Sequence, residues 1–308
     1  MATMKAVRIH AFGGPDVLKI EEAPRPEPGS GEVLIKVHAA GVNPIDWKIR
    51  EGYGNRELPL IPGWDVAGVV EKLGSGVTSL NKGDQVYGYF GIARDGAYAD
   101  YVAVPADEVA LKPRSLDYTK AAAIPLAALT AWQGLFDMGG LKAGQKVLIH
   151  GAAGGVGSFA VQFAKWKGAD VVGTASGRNE RFVKALGAEQ VIDYTKTPFE
   201  EAVEDVDVVL DTMGGETQRR SWQVLKKGGI LVSILSQPSQ KEADAWGVRQ
   251  AFFVVRPNAA ELTDIAALVD SGKVKPIVDN VLPLAEARKA QELSQAGHTR
   301  GKIVLKVA

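Results

Sequence analysis

The stretch KVLIHGAAGGVGSFAVQFAKWKGA, residues 146–169, decides the fold. It runs an apolar strand into a glycine turn and out into a helix. Glycines at 154, 155 and 157 let the backbone approach a pyrophosphate, whose charge then rests on exposed N–H groups at a helix N-terminus. The dinucleotide fingerprint G-x-G-x-x-G is met at Gly154 and Gly157, with Ala152 in the first position. Alone the pattern is weak, because a turn that only links a buried strand to a helix reads the same way. If it binds, the contacts are Ala153, Gly154, Gly155, Val156 and Gly157.

Beyond that turn, strands and helices alternate. Strands are expected at 147–150, 171–175, 190–193, 208–211, 230–235 and 252–255, with helical patterns between most of them. Strands separated by helices predict an α/β fold with a doubly wound parallel sheet, the Rossmann arrangement. Before about Tyr118 the texture differs: short β-like runs such as VLIKVHAAGV and DVAGVVEKLG lie between Gly and Pro turns, which reads as a small irregular β-barrel. The tail adds two helices and short strands and is expected to return to that barrel. The expected domains are 1–122 with 260–308, and 123–259.

With 308 residues, two domains are the better prior. Hydrophobic residues make up 46% and charged ones 23%, with 36 basic against 36 acidic side chains, so charge signals neither nucleic acid nor membrane. No cysteine is present, which excludes disulfides, thiolate metal sites and cysteine nucleophiles. The opening MATMKAVRIHAFGG lacks the apolar core of a signal peptide, and no run approaches the ~20 apolar residues of a membrane span. A cytoplasmic protein is the default expectation.

A second determinant lies at the expected distance, in VVGTASGRNERF. NAD-selective sites place an acid at the end of the second strand, where it binds the ribose hydroxyls and repels a 2′-phosphate; here the tip reads Ser176, Gly177, Arg178, Asn179. That tip suits NADPH. Arg178 offers a forked guanidinium for phosphate, and Ser176 and Asn179 add neutral hydrogen bonds. A solvated arginine on a helix's first turn is the plain alternative. Tyr194, in VIDYTK, packs on adenine, reaches the same phosphate, or simply ends a strand.

Taken together, GVNPIDWKIREG, PGWDVAGVV, GDQVYGY, AAAIPLAALTAWQGL, AAGGVGS, SGRN, LGAEQVIDY and GKIVLKV resemble the zinc-independent branch of the medium-chain dehydrogenase/reductase superfamily, the quinone oxidoreductases and alkenal/enone reductases. The resemblance spans the whole chain. It implies a GroES-like barrel for the first domain, and AAGGVGS is the family's normal nucleotide loop, so Ala152 is no aberration. The family's zinc enzymes take ligands from a Cys after Gly-Val and from Gly-His-Glu; here those places read Gly41, Val42, Asn43 and Gly63, Trp64, Asp65. The four histidines form no chelating pair. Without a Lewis acid, acceptors already electrophilic are favoured, because hydride addition to a quinone or an α,β-unsaturated carbonyl leaves a delocalised charge.

By the same resemblance, Lys48 touches NADPH and substrate and could stabilise an enolate, a surface lysine being the plain alternative, while Asn43 offers an N–H donor and Asp46 organises the loop. Tyr53, between Gly52 and Gly54, is a candidate phenolic donor or lid. Thr130 matches a position near the nicotinamide; a helix-interior threonine bonded to its own backbone is the alternative. Asp211 to Gly214, Leu235, Phe253, Val254 and Val255 are expected along the cofactor edge, and His298, Thr299 and Arg300 in a turn folding over it. Apolar residues among these are otherwise simply core. Trp64, Tyr53 and Phe90 are expected to line an apolar cleft, with Arg94 and Asp95 near its mouth. The expectation is an NADPH-dependent reductase of quinones or enones and a homodimer, with the edge of QAFFVVRP as the candidate contact. The rival is an NADPH-binding sensor or structural protein with little turnover.

Overall fold

In the computed structural model, which describes residues 2–308, the chain first lays down β1 (Thr3–Arg8) and β2 (Lys19–Pro24), an antiparallel pair forming its own two-stranded sheet. The long β3 (Glu32–Val42) follows, and its run of buried apolar residues makes it central to the barrel. Asn43 holds extended backbone (φ −129°, ψ 155°) and Pro44 opens α1 (Pro44–Arg50), where a missing N–H costs nothing. Next come β4 (Asp65–Leu73), β5 (Gln85–Tyr89), β6 (Tyr101–Pro105) and β7 (Val109–Leu111). β3 pairs antiparallel with both β4 and β6, β4 with β5, and β5 with β7. Asp117 then caps α2 (Tyr118–Ala122), its side chain accepting from Lys120 N at 2.7 Å. β2 and β7 carry little apolar alternation, and the sequence reading passed over both.

The chain divides into two compact units, the first reaching Leu129 and resuming at Arg256, the second being Thr130–Val255. The division falls inside α3 (Pro125–Trp132), because Leu126 N donates to Asp65 Oδ1 at 2.8 Å and keeps the helix start with the barrel.

In the second unit, β8 (Lys146–Ile149) leads through the glycine turn to α4 (Gly155–Lys167), then β9 (Asp170–Ala175), α5 (Glu180–Leu186), β10 (Gln190–Asp193), β11 (Val206–Asp211), α6 (Gly215–Arg220), β12 (Leu225–Ser233), α7 (Gln240–Trp246) and β13 (Arg249–Phe252). The six strands are all parallel, in the order β10-β9-β8-β11-β12-β13. This is the doubly wound Rossmann sheet, with the order reversing at β8 and β11. Leu148, Val172, Val209 and Leu231 bury one face with Trp222 and Phe199. The sixth strand runs earlier than the apolar FFVV suggests: it pairs with β12 only from Arg249 to Phe252, matching Ile230 to Ser233. β12 itself ends at Ser233, so Leu235 and the residues after Phe252 lie beyond the ladder.

The tail supplies α8 (Ala259–Asp270), β14 (Val278–Pro283), α9 (Ala287–Ala296) and β15 (Lys302–Lys306) to the first unit. β15 pairs antiparallel with β3, setting Ile303 opposite Val42, and β14 lies parallel outside it. Arg50, fully buried at the end of α1, binds Gln291 of α9 at 3.1 Å and Gly13 O at 3.0 Å.

Candidate functional site

The expected site residues fall into two sets, one in each unit. In the second unit the glycine turn is built as a cradle. The left-handed residue is Gly151 (φ 66°), so the conformational freedom the turn needs lies one residue before Ala152. Ala152 is buried, its N–H donates to Thr174 O at 3.0 Å, and its methyl fills the space left by Gly173, where a Cβ would lie 2.8 Å from it. Gly157 cannot be replaced: a Cβ there would stand 2.2 Å from Gly151 O and 2.7 Å from Ala152 Cα. The first intrahelical bond is Ser158 N to Gly154 O at 2.9 Å, so the amides of Gly155, Val156 and Gly157 precede it as free first-turn donors. A pyrophosphate fits that donor set.

His150, just before the turn, is fully buried with Nδ1 3.1 Å from Thr174 Oγ1 and Nε2 3.0 Å from Ser221 Oγ. Ser221 donates to Thr217 O at 2.7 Å, so its oxygen accepts from Nε2–H and the imidazole is neutral with Nδ1 as acceptor. Burial pushes this imidazole down to about 4. Thr174 Oγ1 in turn accepts from Gly151 N at 3.3 Å, linking the turn to α6. The sequence reading saw His150 only as one of four scattered histidines.

The tip of β9 turns through Ser176 to Asn179. Asn179 is buried and its Nδ2 donates to Ser176 Oγ at 3.1 Å, which shapes the turn from within; Arg178 is exposed. Gly177 lies flush against Asp193, where a Cβ would stand 2.4 Å from Oδ2. The Thr195 hydroxyl, donating at 2.7 Å, holds the Asp193 carboxyl below its ordinary value, and Lys196 Nζ lies 3.4 Å away.

Tyr194, Met213, Leu235 and Val254 each stand one or two residues past the carboxyl end of β10, β11, β12 and β13, and each is at least 43% exposed. Open parallel sheets bind ligands at that edge. Beside it a cavity of about 250 Å³ is lined by His150, Gly151, Thr174, Tyr194, Phe199 and Met213. The Asp211 carboxylate is turned inward: it accepts from Met213 N at 2.9 Å, Gly214 N at 2.8 Å, Gln218 Nε2 at 3.1 Å and Ser233 Oγ at 2.8 Å. It therefore shapes the turn whose backbone lies at the edge. Phe253 is core, Val255 half-buried, and Thr130 buried in α3.

In the first unit Asn43, Asp46 and Asp65 form one buried network. Asn43 Nδ2 donates to Asp65 Oδ2 at 2.8 Å, its Oδ1 accepts from Lys302 Nζ, and its N–H donates to Asp46 Oδ2 at 2.8 Å. The side chain from which a donor toward substrate was expected is thus buried, with one of its two N–H groups spent on Asp65. Asp46 Oδ2 also accepts from Tyr98 OH at 2.8 Å, while Oδ1 is buried without a partner. Burial pushes the Asp46 carboxyl up to about 7. Lys48 is half-buried with Nζ 5.7 Å from the Trp47 ring centre, and Tyr53 is exposed at a tip where Gly52 and Gly54 have φ of 105° and 78°. Trp64 and Phe90 are fully buried, so they are core; Trp64 Nε1 donates to Arg94 O at 3.0 Å. Arg94 pairs with Glu32 at 2.6 Å and Asp95 accepts from Ile61 N at 2.8 Å, which makes both structural. His298 is exposed after α9.

Sequence reasoning missed Lys302 and Tyr98. The one signal was a lysine opening an otherwise apolar strand in GKIVLKV.

A Rossmann sheet with a glycine cradle and a separate β-barrel unit define a nicotinamide-dependent oxidoreductase. A family model described as alcohol dehydrogenase GroES-like domain matches residues 29–114, and one described as zinc-binding dehydrogenase matches 186–305. The chain is 39% identical to the 2-methylene-furan-3-one reductase of Solanum lycopersicum over 98% of this chain and 79% of that one. The structure of the quinone oxidoreductase from Coxiella burnetii superposes with a TM-score of 0.94 at 40% identity, covering both chains completely. A mycobacterial protein solved with NADPH gives 0.89 at 32% identity, covering 99% of this chain and 100% of that one. The chain belongs to the medium-chain dehydrogenase/reductase superfamily, in its branch of quinone oxidoreductases and alkenal/enone reductases.

A zinc ion, which the name of the second family model implies, does not fit the residues present. Asp65 is held by Asn43, Leu126 and Lys302, and among the described residues no group of three or more His, Cys, Asp or Glu side chains converges.

Proposed function

We propose that the protein is an NADPH-dependent reductase of α,β-unsaturated carbonyl compounds or quinones. The observation that carries the reading is the tip of β9, which presents Arg178 and Ser176 and no carboxylate, while Lys196 offsets the neighbouring Asp193. A 2′-phosphate gains charge-assisted hydrogen bonds there, and its absence in NADH forfeits them. The apolar cavity lined by Tyr194, Phe199 and Met213 suits a flat base, and the amides of Gly155 to Gly157 suit the pyrophosphate.

When bound, the nicotinamide supplies the hydride. The chain supplies charge and position: the Lys48 ammonium on α1 is the group suited to offset a developing negative oxygen, and Tyr53, exposed at its glycine-flanked tip, the one suited to contact an acceptor. With no metal-ligand set, acceptors whose charge delocalises are those this site turns over. The names of the Solanum and Coxiella relatives, an enone reductase and a quinone oxidoreductase, support both substrate classes. We read the protein as a cytoplasmic homodimer whose sheets join through β13, the edge strand of the second unit.

Purified protein mixed with NADPH and a panel of 1,4-naphthoquinone, 2-alkenals and cyclic enones tests this. Acceptor-dependent loss of NADPH absorbance is expected for at least one class. Tight NADPH binding with background turnover on all of them would instead favour a sensor.

A further inference from the structure

Three adjacent strands bring three oxygens and one ammonium to one point at the end of the barrel sheet. β3 brings Val42 O and leads to Asn43 Oδ1, β4 brings Asp65 Oδ2, and β15 places Lys302 Nζ among them. The ammonium lies 2.8 Å from Val42 O, in direct hydrogen-bond contact with Asn43 Oδ1, and 3.8 Å from Asp65 Oδ2; the two charged side chains are 4% and 0% exposed. Two hydrogen-bond acceptors and a facing carboxylate around a three-donor, acceptor-free group match a charged ammonium. Asp65 accepts from Leu126 N and Asn43 Nδ2 and faces that ammonium, which matches a carboxylate. A buried charge pair is costly unless it is well hydrogen-bonded; here Lys302 donates to Val42 O and Asn43 Oδ1 and faces the Asp65 carboxylate just beyond hydrogen-bond distance.

These are the segments, Gly41-Val42-Asn43 and Gly63-Trp64-Asp65, in which the family's zinc enzymes carry metal ligands. We propose that the Lys302 ammonium is a resident cation standing in for the metal as organiser of the active-site loop, and that Lys302 is a positioning residue for Lys48. Its grip on Asn43 fixes the residue from which α1 starts, and Asn43 N donates to Asp46 one turn in, so the register of α1 and of Lys48 follows from it. The inference rests on the reading of Lys48 as the residue that meets the acceptor.

The test compares Lys302→Met, the double variant Lys302→Met with Asp65→Asn, and wild type. The single variant leaves the Asp65 carboxylate buried without a counter-charge and is expected to melt at lower temperature. The double variant carries no charge there and is expected to melt near wild type. It nonetheless lacks the grip on Asn43, so its kcat/KM for the acceptor should fall about tenfold or more, as for residues that orient a site's primary groups, while its NADPH dissociation constant stays within twofold. A double variant with wild-type kcat/KM overturns the proposal, because neutralising Asp65 would then be all that Lys302 does. Hydrogen exchange over residues 43–54 supplies a readout independent of turnover. Faster exchange there in the double variant is expected, and unchanged exchange overturns the proposal even if the wild type reduces no acceptor and the functional reading fails.

Discussion

Asn43 and Asp65 are joined by a 2.8 Å hydrogen bond between side chains that are 1% and 0% exposed. Asn43→Ala removes a donor from Asp65 and an acceptor from Lys302 together, leaving two buried charged groups each short of a partner. Denaturant unfolding should show a loss of about 2–3 kcal/mol, well above what a half-exposed loop asparagine would cost.

Asp46 gives a pH signature. Its folded carboxyl titrates near 7 against an ordinary 3.8, so the folded state binds its proton more tightly. That contribution is complete below the unfolded value, falls as pH rises from about 4 to 7, and is gone above. The stability difference between wild type and Asp46→Asn should therefore change by about 1.4 kcal/mol per pH unit across that window and level off above it. A difference that stays flat across that window would show that Asp46 is ionised throughout.

Gly157→Ala tests the cradle. The added methyl has no room against Gly151 O at 2.2 Å, so the turn must open and the first-turn amides lose their aim. NADPH affinity measured by nucleotide fluorescence should fall more than tenfold, about 1.4 kcal/mol or more, with the barrel unit's hydrogen exchange unchanged.

For cofactor choice, Arg178→Ala should weaken NADPH by roughly 1.5–3 kcal/mol, the worth of hydrogen bonds to a charged group, and leave NADH within twofold. Isothermal titration with both nucleotides decides it; equal losses would remove the 2′-phosphate from this turn.

Much of the fold was legible because period and punctuation carry it. The alternation of strands and helices from residue 146 onward, and the glycine turn, follow from local pattern alone, and four of the six strands of the parallel sheet lie within two residues of the expected bounds, while β12 starts five residues earlier than expected and ends two sooner. The sixth slipped toward its N-terminus because an edge strand's extent is set by its single partner: β12 ends at Ser233, so the apolar Phe253 to Val255 have no ladder to join. The glycine turn and its neighbours were likewise readable as local structure, since those residues sit close together in sequence. The barrel side was not. Lys302 and Asn43 are 259 positions apart, and only the pairing of β15 with β3 makes them neighbours. Asn43 was picked out by sequence as a donor toward substrate, whereas its side chain is buried against Asp65 and Lys302, and Trp64 and Phe90 were read as cleft when they are core.

Hydride delivery to an electrophilic carbon is read directly by mass spectrometry of the product formed from a cyclic enone and NADPH deuterated at the transferable position. One deuterium on the carbon β to the carbonyl, in a saturated ketone, is the predicted result. Deuterium at the carbonyl carbon of an allylic alcohol, or a saturated product without deuterium, would contradict it.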